Sequence, residues 1–77
     1  MYYTYVLQSK LNAETYIGST NNLRIRFAEL NKGKVFSTKR YIPWKLIYYE
    51  AFISEDMARH REKGLKYNGN ATRELKK

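Results

Sequence analysis

The sequence predicts a small α+β domain, a three-stranded antiparallel sheet flanked by helices. Three observations carry this. Two strand-like stretches, Tyr2–Leu7 with three tyrosines and Thr15–Ser19 with one, lie one short connection apart and read as a hairpin. An apolar stripe at helical spacing follows in Leu23, Phe27 and Leu30. A third strand-like run, Lys45–Phe52, precedes a helical segment opened by Ser54. The order strand, strand, helix, strand, helix, short helix suits a mostly antiparallel sheet with its helices segregated.

In the first strand Tyr3, Tyr5 and Leu7 share one face, and Tyr2, Thr4 and Val6 share the other. Gln8–Glu14 is a polar connection of hairpin length. The second strand pairs antiparallel to the first, with Tyr16 and Gly18 on one face and Ile17 on the other. Asn21 or Asn22 caps the first helix, which starts near Leu23 and stops at Gly33. Arg26 borders its apolar stripe. Lys34–Tyr41 reads as a basic loop, and Pro43 disfavours helix at Ile42. Glu55 and Asp56 suit the first turn of the next helix. That helix runs to Lys63 or Lys66, with Gly64 weakening its end, and Ala58, Arg61, Leu65 and Met57 near its packed side. Asn68-Gly69 is a turn signal, and Ala71–Lys77 a last short helix.

Length and charge set the function classes. Seventy-seven residues, 1–77, suit one small domain with a limited core. Eight tyrosines are many for this length, and each can pack its ring while presenting a hydroxyl. Fifteen Lys and Arg against seven Asp and Glu leave a net charge of +8. That charge attracts polyanions, nucleic acid before an anionic membrane; the plainer alternative is a generically basic domain. The absence of cysteine excludes disulfides, thiolate metal sites and a cysteine nucleophile. A lone histidine, His60, excludes a zinc site built on several imidazoles. No apolar run reaches membrane-span length and the N-terminus lacks a signal-peptide pattern, so a cytoplasmic protein is expected.

Four residues are candidates for chemistry, each with a plainer reading. Glu62 sits at the edge of the packed side of its helix, where a carboxylate must be paired, hydrated or metal-bound. The plain account is an ion pair with Arg26 or a neighbouring lysine. Arg26 is either a solvated cation beside an apolar stripe or a phosphate clamp, since its fork matches two phosphate oxygens. Tyr5 and Tyr16 are by default core aromatics.

Taken jointly, these residues resemble the GIY-YIG nuclease family. Tyr3-Thr4-Tyr5 is similar to the first family triplet, and Tyr16-Ile17-Gly18 matches the second literally. Further matching blocks are Ser19–Leu23 with Arg26-Phe27, Phe36–Lys39, Pro43–Glu50, and Arg61–Lys63 with Leu65-Lys66. The resemblance covers essentially the whole chain and is closest to short stand-alone bacterial members. It implies a divalent-metal-dependent endonuclease that hydrolyses DNA phosphodiesters, with DNA repair as a setting. Tyr5 and Tyr16 become the motif tyrosines, one of which orients or deprotonates the attacking water. Arg26 binds the scissile phosphate, and Glu62 holds one Mg²⁺ or Mn²⁺. Arg24, Arg26, Lys34, Lys39 and Arg40 are the expected nucleic-acid contacts. Many relatives carry a histidine one turn after the arginine, where this chain has Leu30. Some carry a metal-supporting asparagine near the C-terminus, for which Asn68 and Asn70 are the candidates. His60 should face away from Glu62.

Two other classes compete with the nuclease. One is a nucleic-acid-binding module, on DNA or RNA, that kept the fold without efficient cleavage. The other is a protein-interaction domain whose charge only aids solubility. No recognition module such as a helix-turn-helix is present. This argues for structure-selective or non-specific cleavage, or for targeting by a partner protein.

Overall fold

The computed structural model describes residues 1–67. The elements are β1 (Tyr2–Ser9), β2 (Thr15–Thr20), α1 (Leu23–Asn31), β3 (Trp44–Phe52) and α2 (Glu55–Tyr67), with a 3-10 turn at Lys39–Tyr41. The sheet is antiparallel in the order β2-β1-β3. The longest-range pairing therefore puts the first strand at the centre, and both its faces are covered. Tyr5 and Leu7 are buried on one face, Thr4 and Val6 on the other.

The two helices lie on opposite faces. The stripe of Leu23, Phe27 and Leu30 packs on the Tyr5 and Leu7 face, where Leu30 is 0% exposed. On the other face the Thr4 hydroxyl donates to the Ala58 carbonyl of α2 at 2.6 Å. Tyr5, Leu7, Leu30 and Trp44 form the buried core.

Local signals act as their chemistry dictates. Asn22 rather than Asn21 caps α1, its Oδ1 accepting from the Ile25 amide at 3.1 Å. Gly33 follows the helix with φ of 79°, the left-handed conformation that glycine permits. Ser54 accepts from the Met57 amide at 3.2 Å to open α2. Asn31 ties the end of α1 to the start of β3. Its amide nitrogen donates to the Trp44 carbonyl at 3.2 Å, and its oxygen accepts from the Trp44 amide at 2.6 Å.

Several expectations are corrected. Strand β1 extends to Ser9 and β3 begins at Trp44. The basic loop contains an ordered 3-10 turn. Helix α2 continues through Gly64 to Tyr67, and the i→i+4 ion pair of Glu62 with Lys66 spans the glycine. Met57 and Arg61 are exposed, not packed. Arg61 instead reaches the edge strand, where its Nε donates to Glu50 at 2.7 Å. Ala58 is fully buried as expected. The expected turn at Asn68-Gly69 and helix over Ala71–Lys77 lie outside the described residues, as do Asn68 and Asn70.

One irregularity shapes the surface. Val6 pairs with Tyr48 but Leu7 pairs with Leu46, so Ile47 is an extra residue in β3. Such a bulge inverts the alternation along the bulged strand. Leu46 and Tyr49 consequently both face α1.

Candidate functional site

The site is built at β2, an edge strand. Tyr5 lies opposite Gly18, and Leu7 lies opposite Tyr16. The ring of Tyr5 crosses over Gly18: a Cβ added there would sit 2.6 Å from the Tyr5 hydroxyl and 2.8 Å from Cζ. The role of Gly18 in the structure is to make room for the Tyr5 phenol.

Helix α1 brings Arg26 onto the same face. The Tyr5 and Tyr16 phenols lie beside its guanidinium and, Tyr5 foremost, hold the arginine pKa above its usual value. Arg26 also pairs with Glu29 at 3.5 Å, one turn along. The rings of Tyr5 and Tyr16 are 6.3 Å apart. Tyr5, Tyr16 and Arg26 thus form one cluster, as the sequence proposes.

Burial dominates the environment of Tyr5. Burial pushes its pKa above 10.0, the hydrogen bond from Arg26 pulls the other way, and the neighbouring Tyr16 raises it further. Desolvation wins, so Tyr5 is held as the neutral phenol. Arg26 alone does not bring this tyrosine towards working pH.

Glu62 approaches from α2, on the other face of the sheet. Burial raises its pKa, but hydrogen bonds from Lys66 and Ser19 outweigh that, with help from the charges of Lys66 and Arg59. The carboxylate is held ionised, below the usual carboxylate range. Lys66 Nζ is 2.6 Å from Glu62 Oε2, so the neighbouring-lysine account of Glu62 holds and the Arg26 account does not. The Glu62 side chain is 20% exposed against 55% for Lys66, so the carboxylate is the more shielded partner. Ser19 lies opposite Thr4 and so points towards α2. Among the described residues no strand lies beyond β2 in the sheet, so both faces open onto the same rim there. The charge of Glu62 is felt at the Tyr5 phenol across it.

Ser19 is the residue that sequence reasoning missed. The signal was available: a hydroxyl one residue after Gly18, on the opposite face, beside a helix carrying a lone inward carboxylate. Leu30, one turn after Arg26, is sealed in the core and offers no proton-transfer group. His60 is exposed on α2.

The expected nucleic-acid contacts are all on the surface apart from Arg26. Arg24 is exposed in the first turn of α1, and Lys34, Lys39 and Arg40 are exposed between α1 and β3. Lys39 Nζ sits 4.7 Å from the ring centre of Phe36, and Phe36 is 72% exposed. Arg40 lies over Tyr41 at 5.8 Å. Tyr41 contacts Trp44 at 5.9 Å, and Trp44 contacts Tyr16 at 6.0 Å. A continuous line of rings therefore joins the basic segment to the tyrosine pair.

Hydroxyls and a guanidinium on one face of the sheet and an ionised carboxylate on the other, on a small basic α+β domain, suit phosphoryl-transfer chemistry. A family model described as the GIY-YIG catalytic domain matches residues 1–76, and the chain belongs to that family. The family is one of nucleases, generally dependent on a divalent metal and acting on nucleic acid. No curated protein and no solved structure matches the chain. Among the described residues no helix is long and apolar enough to cross a membrane.

Proposed function

We propose that this protein is a divalent-metal-dependent endonuclease that hydrolyses DNA phosphodiester bonds, selecting by DNA structure or cutting non-specifically. The observation that supports it most is the gathering of Tyr5, Tyr16 and Arg26 on one face of the sheet, with the two tyrosine rings 6.3 Å apart. Two phenols and a fixed cation in one cluster are what a phosphate and an attacking water require.

The residues fit a hard cation such as Mg²⁺ or Mn²⁺. The described residues hold no cluster of three or more His, Cys, Asp or Glu side chains. Glu62 is a single shielded carboxylate kept ionised by its neighbours. Such an ion accepts one carboxylate and fills its remaining positions with water and phosphate oxygens. When bound, it would neutralise charge developing on the leaving oxygen.

The protein groups divide the other tasks. Arg26 clamps the scissile phosphate through two nitrogens and stabilises its developing charge. Tyr5, kept protonated, donates a hydrogen bond that orients the water. Tyr16, the less buried of the two, accepts a hydrogen bond from the water; the water oxygen attacks phosphorus, its proton passes to solvent, and the bond to the leaving oxygen breaks. Arg24, Lys34, Lys39 and Arg40 hold flanking phosphates.

A second reading rests on Leu30. With a core leucine one turn after Arg26, the module binds DNA or RNA and cuts poorly. One experiment decides between them. Supercoiled plasmid and flapped DNA are incubated with the protein and Mg²⁺, Mn²⁺ or EDTA. Cleavage with either metal is expected, lost in EDTA and in Glu62→Ala. Arg26→Ala should cut about 10²–10³-fold more slowly, the scale for removing one charge-stabilising donor. Uncut DNA under every condition, or full activity of Glu62→Ala, overturns the nuclease mechanism.

A further inference from the structure

A concavity lies near the cluster on the α1 face of the sheet. It has a volume of about 530 Å³ and lies between α1 and β3. Tyr3, Tyr49, Phe27 and Leu46 give it an aromatic and apolar wall, and Arg24 and Asn21 stand at its edge. Its size falls within the range of small-molecule sites, roughly 300–1,000 Å³.

Three features set it apart from an ordinary surface dent. The bulge at Ile47 turns Leu46 and Tyr49, residues of opposite parity, onto one face. Without the bulge one of the two would leave the wall. The rings of Tyr3 and Tyr49 are 6.3 Å apart and inclined at 59°, so they form a corner rather than a closed stack. A planar ring can stack on one of them and take an edge contact from the other. Tyr49 is 53% exposed, an aromatic left uncovered on an edge strand.

Charge indicates the occupant. Arg24 lies in the first turn of α1, where the helix dipole favours acids and no acid is present. Among the described residues Arg24 forms no ion pair. Helix stability therefore does not explain its place, whereas an anion passing the groove mouth does.

Position ties the groove to the cluster. Tyr49 lies directly opposite Tyr5 in the sheet. Tyr3 is two residues from Tyr5 on the same face, about 7 Å along the strand. Arg24 precedes Arg26 by two residues, and Phe27 follows it.

We propose that this groove receives an unpaired nucleobase of the strand being cut, adjacent to the phosphate held by Arg26. The base stacks in the Tyr3–Tyr49 corner, and Arg24 meets its phosphate. The substrate class is then DNA with an unpaired or readily unstacked base at the cleavage point, such as a flap junction or bulge. This rests on the nuclease reading above.

The test measures binding in EDTA, so that it does not depend on cleavage. Fluorescence anisotropy compares a fully paired duplex with one carrying a single unpaired base. Wild type should bind the second about tenfold tighter, the scale of stacking one base on an aromatic side chain. Tyr49→Ala should lose that preference and bind the paired duplex as wild type does. Tyr49→Phe should keep it, because stacking does not need the hydroxyl. Tyr49→Leu serves the same purpose as the alanine if that variant is poorly folded. Equal binding of both DNAs by wild type, or an equal loss on both in Tyr49→Ala, overturns the base pocket alone. Failure to bind any DNA at low salt overturns both this inference and the nuclease reading. Selective binding without cleavage in metal sinks the catalytic reading and leaves the pocket standing.

Discussion

Gly18 and Tyr5 show how one missing side chain arranges a site. The Tyr5 phenol occupies the space a Cβ at Gly18 would need, at 2.6 and 2.8 Å. Tyr5 is 1% exposed and has nowhere to retreat. Gly18→Ala should therefore cost about 1–3 kcal/mol by overpacking, seen as a lower Tm. Adding Tyr5→Leu should recover most of that stability but not the cutting of DNA. A Gly18→Ala protein with wild-type Tm would show that the ring has another place to go. Glu62 carries a pH signature. Its folded-state pKa is depressed below 4.5. Its contribution is thus full above 4.5 and is lost as pH falls through the lower, folded value. Wild type should lose Tm on acidification more steeply than Glu62→Gln. Parallel acid limbs in the two proteins would contradict the ionised, bonded state of this carboxylate. Lys66 competes for the same oxygens. Lys66→Met should change Tm little, since the lysine end of the pair is 55% exposed and such a pair is worth about 1 kcal/mol or less. It should lower the metal concentration needed for half-maximal cleavage, measured by titrating Mg²⁺ or Mn²⁺. An unchanged requirement would separate Glu62 from the metal.

Element α1 is where sequence and structure agree most closely, and where the limits of the sequence also show. Its stripe, its stop at Gly33 and the place of Arg26 beside the stripe are all local, so spacing alone reveals them. Tyr5, Tyr16 and the hairpin are legible for the same reason, since strand alternation and a short connection fix their faces. Asn31 was not legible, because it acts on a partner far off in the chain; Ser19 left a signal in its hydroxyl beside Gly18, but no spacing tied it to Glu62. The bulge at Ile47 was hidden as well: nothing in a run of apolar residues marks which one goes unpaired. Met57 and Arg61 were misplaced because helical period gives neighbours on a helix, not the direction of its core. The tie from Asn31 to Trp44 joins α1 to β3 by bonds of 2.6 and 3.2 Å. Asn31→Ala leaves the Trp44 amide and carbonyl without that partner, at a cost of about 1–3 kcal/mol. Thermal or urea unfolding should register this loss, and Arg26 should be held less firmly, so cleavage should fall as well. Unchanged stability would mean that water replaces the asparagine.

At the scale of the whole molecule, charge and rings organise the surface around β2 and α1. The net charge is +8, and the proposed phosphate contacts Lys34, Lys39 and Arg40 lie on the segment between α1 and β3. The line of rings from Tyr41 through Trp44 to Tyr16 connects that segment to the cluster, so a strand held by its phosphates there would lead towards Arg26. Not every cation should count equally. Arg61 is already matched with Glu50 at 2.7 Å on the β3 side, so it has little charge to offer a phosphate. Binding of duplex DNA in EDTA should weaken with salt by a log–log slope of about −0.9 for each phosphate neutralised. Replacing Lys39 and Arg40 together by Ala should make that slope shallower by about two. Arg61→Gln should leave it where it was. Anisotropy titrations at several salt concentrations give all three slopes. If Arg61→Gln flattens the slope as much as the double variant, DNA runs over β3 and α2 instead, and the placement of the substrate beside Arg26 is wrong.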